Sequence, residues 1–120
     1  MATDSNQLRE LIIAAVEDRK GINIVTLEVS RLTDITDFMV IVSGRSQRQV
    51  KSIAQYVTEQ AKIAGYPTAG TEGLEYGDWV LLDLYDVIVH IMTPETRDFY
   101  QLEKLWSGAG TGPTHASLTT

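Results

Sequence analysis

The pattern of this 120-residue chain predicts an α/β fold, a mixed five-stranded sheet flanked by helices. Three observations predict it. Apolar stripes of helical period alternate with short β-branched runs of strand type. A long amphipathic helix stands among runs of strand type, with a βαβ-like passage around it. The composition, 43% hydrophobic and 22% charged, is that of a globular protein with its own core.

The elements follow in order. Leu8, Leu11, Ile12, Ala15 and Val16 form one helical stripe, and Gly21 is placed to end that helix. Residues 22–29 are an extended, β-branched segment, and Phe38 to Val42 is a continuous apolar run suited to a strand buried on both faces. Ser46 and Gln49 form a capping box at the head of a long helix. Val50, Ile53, Ala54, Val57 and Ala61 give that helix its core face, Lys51, Thr58, Glu59 and Lys62 its wet face, and Gly65 and Pro67 its end.

Residues 66–72 form a weak strand and residues 73–78 a loop. Trp79 to Leu84 and Asp86 to Met92 are strong strand patterns meeting in a tight turn at Tyr85-Asp86. Thr93-Pro94-Glu95 opens a last helix, whose apolar face is Phe99, Leu102, Leu105 and Trp106. Residues 1–107 are therefore read as one domain, and residues 108–120, rich in Gly, Thr and Ser, as a disordered tail.

Charge and residue inventory exclude several function classes. A formal net charge of −6 repels phosphate backbones and acidic membranes and favours a basic protein partner, so sequence-specific nucleic-acid binding is not expected. The absence of cysteine removes disulfides, thiolate ligands and a cysteine nucleophile, and suits a reducing compartment. Met1 to Asn6 lacks signal-peptide character and no apolar run approaches the ~20 residues of a membrane helix, so a cytoplasmic protein is expected.

Chemistry is equally sparse. Only two histidines are present, too few with no cysteine for a structural zinc site, and His90, inside an apolar strand, reads as a structural residue. Ser43 and Ser46 stand in no nucleophile elbow. The Ser43-Gly44-Arg45-Ser46 turn could hold an anion, but capping is its simpler role. Asp83 and Asp86 fall on opposite faces of a continuous strand and read as turn acids. No catalytic, cofactor or metal residue is assigned.

The informative strand is Trp79 to Leu84. Alternation sends Val80, Leu82 and Leu84 to the core and Trp79, Leu81 and Asp83 to the other face. A tryptophan and a leucine beside a carboxylate have the composition of a binding hot spot, unless a helix covers them. Tyr100, Leu102, Leu105 and Trp106 add more aromatic surface than a short terminal helix needs for docking. Trp79, Leu81, Asp83, Tyr100, Leu105 and Trp106 are the candidate partner-binding residues.

Two blocks carry a family resemblance. Asp37-Phe38-Met39-Val40-Ile41 with Ser43-Gly44 and Arg48-Gln49-Val50 resembles the first signature of the Iojap family. Glu72-Gly73, residues 79–83, residues 86–90 and residues 97–106 resemble its C-terminal block in order and spacing, so that the match runs from Leu8 to Ser107. The resemblance implies a nucleotidyltransferase-like fold without catalytic carboxylates. It also implies a homodimer that binds the large ribosomal subunit through large-subunit ribosomal protein number fourteen and silences translation by blocking an intersubunit bridge and subunit joining. Its docking face would be the surface around Trp79 and Asp83. Organelle relatives imply a role in large-subunit assembly as a further possibility. Tyr85 departs from the glycine common in the family, so the turn before Asp86 is expected to be built differently.

Two other classes stand beside this one. A nucleotidyltransferase would carry an Asp-x-Asp metal pair about ten residues after its Gly-Ser turn, whereas residues 47–64 contain no aspartate. A general dimeric adaptor would differ from a silencing factor only in its partner.

Overall fold

The computed structural model describes residues 5–106 and 110–111. Helix α1 spans Ser5–Asp18, strands β1 and β2 span Ile22–Glu28 and Phe38–Ser43, and helix α2 spans Gln47–Ile63. Strands β3 (Gly70–Glu72), β4 (Trp79–Asp83) and β5 (Val87–Met92) follow, then helices α3 (Pro94–Tyr100) and α4 (Leu102–Leu105) and a two-residue strand β6 (Gly110–Thr111). The sheet order is β3-β4-β5-β2-β1-β6. Only the central pair, β2 with β5, is parallel.

The five expected strands are all present, in a mixed sheet flanked by helices. The sixth, β6, pairs with the end of β1 through Leu27 and Glu28, inside the segment expected to be disordered. That expectation therefore does not hold at Gly110 and Thr111, and the rest of residues 107–120 lies outside the described residues.

Strand β2 is buried along all six residues, as its uninterrupted apolar run requires. One face of the sheet, with Val40, Val42, Val80, Leu82, Val89 and Ile91, packs under the apolar stripes of α1 and α2. The opposite face holds a smaller cluster of Val25, Leu27, Val29, Met39, Ile41 and Met92, closed by Leu102 of α4.

Helix α2 starts as expected, with the Ser46 hydroxyl accepting from the Gln49 N–H at 3.1 Å. The reciprocal half of the box is displaced by one residue. The Gln49 carbonyl oxygen accepts from the Arg45 N–H, and its amide donates to the Arg19 and Lys20 carbonyls at 3.1 Å each. One side chain thus ties the start of α2 to the end of α1.

Gly21 does not end α1 in the way its position suggests. The left-handed residue is Lys20, at φ 65°, and the N–H groups of Lys20 and Gly21 donate to the carbonyls of Glu17 and Val16. This is a Schellman closure with a lysine where glycine is usual. Gly21 is required for space instead, because a Cβ there would lie 2.3 Å from Val16 Cγ1 and 2.9 Å from Val42 Cγ2.

The last helix also differs from its expected course. It breaks at Gln101, at φ 51°, and the chain resumes as α4. The break shifts the helical phase, so Leu102 is buried and Trp106 packs against the second cluster. Phe99 and Leu105, read with Leu102 and Trp106 as one apolar face, are 79% and 73% exposed, as suits Leu105 as a candidate partner-binding residue.

The end of α1 supplies a direct test. Lys20→Gly is expected to raise stability by about 0.5–1 kcal/mol by removing left-handed strain, whereas Gly21→Ala should lower it by about 1–3 kcal/mol through overpacking. Urea denaturation of both variants measures the opposite signs.

Candidate partner-binding face

Strand alternation sends Val80, Leu82 and Leu84 into the core, all but inaccessible to water, and leaves Trp79, Leu81 and Asp83 half-buried on the other face. Register sets their neighbours: Trp79 lies opposite Met92, Leu81 opposite His90 and Asp83 opposite Ile88. Ile88 is half-buried too, so it extends the apolar surface beside Leu81. Sequence reading missed Ile88, although its alternation with His90 and Met92 along β5 carried the signal.

Trp79 is fixed in place. Its indole N–H donates to His90 Nδ1 at 3.0 Å, and its ring packs on Tyr100 with centroids 4.8 Å apart and planes tilted by 48°. Phe99 meets Tyr100 edge-on at 4.9 Å. The four rings form a string running outward from buried His90 through Trp79 and half-exposed Tyr100 to Phe99 in open solvent. Tilted and edge-on contacts of this kind suit the quadrupoles of the rings. An anchor held this way loses little side-chain freedom when a partner covers it.

His90 is the structural residue that its strand context implies. Burial pushes its pKa down to about 4, so the imidazole is neutral at physiological pH. Accepting at Nδ1 leaves the proton on Nε2. Ser43 is committed as well, since its hydroxyl accepts from Arg97 Nη1 at 3.1 Å. Arg97 also donates from Nε and Nη2 to Glu103 Oε2 at 2.9 and 2.7 Å, which joins α3 to α4 across the break at Gln101 and to the end of β2.

Asp83 serves the turn. Its Oδ1 accepts from the Tyr85 N–H at 2.9 Å, and the Asp86 N–H donates to the Leu84 carbonyl at 2.9 Å. Tyr85 itself sits at φ 69°, so the tyrosine takes the left-handed position that it was expected to avoid, with the carboxylate of Asp83 as support. Of the six candidate residues, the fold unites Trp79, Leu81, Asp83 and Tyr100 on one surface. Trp106 packs against the second cluster, where it is half-buried, and Leu105 projects from α4.

Among the described residues, no group of three or more His, Cys, Asp or Glu side chains could hold a metal ion, and no helix is long and apolar enough to cross a membrane. A groove of about 350 Å³ between α2 and β4 is lined by Ala54, Leu74 and Leu82, with Glu59 and Lys62 at its rim. It lies beneath α2, on the opposite side of the sheet from the aromatic string.

The family model described as "ribosomal silencing factor during starvation" matches residues 2–119. The ribosomal silencing factor of Chromobacterium violaceum is 45% identical over 102 residues, covering 85% of this chain and 84% of the relative. That of Zymomonas mobilis is 41% identical, covering 86% and 77%. The chloroplastic Iojap protein of Zea mays is 30% identical over 79% of this chain and 41% of its own length. A crystal structure of a Chromobacterium violaceum protein superposes with a TM-score of 0.86 at 42% identity, over 96% of this chain and 94% of that one.

The buried imidazole fixes a pH dependence. Its folded pKa lies below the unfolded value, so below pH 6.5 the unfolded chain takes up a proton that the native state refuses. The stabilisation is present above about pH 6.5 and is lost as pH falls to about 4, on the order of 3 kcal/mol in total. The stability difference between wild type and His90→Gln should shrink by that amount from pH 7 to pH 4. Denaturant melts at each pH measure it, and a constant difference would refute the assignment.

Proposed function

The chain belongs to the ribosomal silencing factor family, the Iojap family, and from that premise we propose that it represses translation by binding the large ribosomal subunit and blocking subunit joining. The observation that carries the docking site is the aromatic string, in which a half-exposed tryptophan is held by a buried histidine and a tyrosine beside Leu81, Ile88 and Asp83. Rigid aromatic anchors on an apolar surface with a carboxylate nearby fit a basic protein. The partner in this proposal is large-subunit ribosomal protein number fourteen, occupied so that an intersubunit bridge cannot form.

The action is steric and requires no turnover. Ser43 and His90, the side chains nearest in type to a nucleophile and a base, are both held in structural hydrogen bonds. The proposal places the protein in the cytoplasm, where subunits join under nutrient limitation, and takes its free form to be a homodimer.

Sedimentation of purified subunits under associating conditions tests the reading. Wild-type protein is expected to travel with large subunits and to suppress joining. Trp79→Ala, with its fold verified by circular dichroism, should lose at least about 2 kcal/mol of binding, a factor of about thirty. Wild-type protein that leaves joining unchanged would defeat the function, and undiminished binding by the folded variant would defeat the site.

A further inference from the structure

The acidic chain has a basic end. Arg19, Lys20, Arg45, Arg48 and Lys51 are five of its ten Lys and Arg residues, and the fold gathers them where α1 stops and α2 begins. Between Phe38 and Thr58 there is no Asp or Glu at all, in a chain with sixteen. The first turn of α2 holds no acid, although that is where the helix dipole favours one, and carries Arg48 where the dipole disfavours it.

The arrangement is held by backbone. Gln49 bridges the Arg19 and Lys20 carbonyls to the start of α2, and Arg45 is tied by its own N–H to Gln49 and by Nη1 to the Lys20 carbonyl at 3.4 Å. Gly77 leaves room for Lys51, since a Cβ there would lie 2.9 Å from Lys51 Cε. The acids close in sequence to Arg19 and Lys20, or to Gly77 beside Lys51, are Glu17, Asp18, Glu75 and Asp78. Asp18 accepts from the Tyr56 hydroxyl, and Asp78 accepts from the Gln47 amide. Among the described residues the ion pairs are Arg9 with Glu10 and Arg97 with Glu103, so Arg45, Arg48 and Lys51 have no carboxylate within salt-bridge distance.

Position completes the case. Ser43, Met92 and Trp79 stand in register at one end of the sheet, and the Gly44 N–H donates to the Met92 carbonyl. The basic end therefore adjoins the Trp79 end of the aromatic face. We infer that Arg45, Arg48 and Lys51 contact the phosphate backbone of RNA next to the protein docked on Trp79. This rests on the ribosomal reading above. The contact is sequence-independent, because phosphate position carries no base information.

Two measurements decide it. The first is the salt dependence of binding to purified large subunits, for wild type, Arg45→Gln/Arg48→Gln/Lys51→Gln and Trp79→Ala. Each lost phosphate contact reduces the slope of log K against log salt by about one, so the triple variant should be shallower by about two to three. Trp79→Ala should bind more weakly with its slope unchanged. A wild-type slope in the triple variant overturns the proposal.

The second is fluorescence anisotropy with a random-sequence RNA duplex at low salt, which decides the matter even if wild type ignores large subunits. Wild type should bind the duplex weakly and the triple variant at least tenfold more weakly. Equal binding by the two overturns the proposal, while failure of wild type on large subunits alone overturns only the ribosomal reading.

Discussion

Strand β2 is buried along all six of its residues, and that constraint shapes the rest of the molecule, because both faces of the sheet must then be covered. The covers are unequal. On one side α1 and α2 lay complete apolar stripes over Val40, Val42, Val80, Leu82 and Val89. On the other, α3 and α4 are short, bury only Leu102 fully, and leave the outer part of β4 and β5 open. The surface proposed for a partner is the part of the sheet that the terminal helices do not reach. Burial enough to hold the fold and exposure enough to bind thus come from the same asymmetry.

That open surface is kept from being loose by polar contacts at its margins. His90 holds the Trp79 indole from beneath, Asp83 holds the turn at Tyr85, and Arg97 fastens α3 and α4 to each other and to Ser43. Their hydrogen bonds show that each fixes the geometry of the face. A rigid face suits recognition by shape, in which the entropy of ordering is met during folding rather than at binding.

The sheet was legible in the sequence because period-two and period-3.6 patterns are direct consequences of burial, and the split of β4 into Val80, Leu82 and Leu84 against Trp79, Leu81 and Asp83 was legible for the same reason. What was not legible depended on single backbone angles. Gln101 takes φ 51° with no glycine to signal it, so the single helix expected here is two short ones, with Phe99 exposed on the first and Leu105 on the second. Lys20 and Tyr85 likewise occupy left-handed positions in which glycine would be expected, while Gly21 owes its place to crowding by Val16 and Val42. Alternation places Ile88 on the face of His90 and Met92, but how much of it is exposed depends on how far the terminal helices extend, which pattern does not give. The pairing of Gly110 and Thr111 with β1 had no signal in so polar a segment.

The parallel pairing of β2 with β5 has a consequence in time. Helix α2 and strands β3 and β4 all lie between the two partners in the chain, so the centre of the sheet closes only after β5 has been made. Trp79, His90 and Tyr100 come from β4, β5 and α3, which are also late. A nascent chain still emerging from a ribosome therefore has no aromatic face to offer to that ribosome or to its neighbours. In the proposed reading, competence to bind arrives nearly at completion, so that a protein acting on translation would not interrupt its own synthesis.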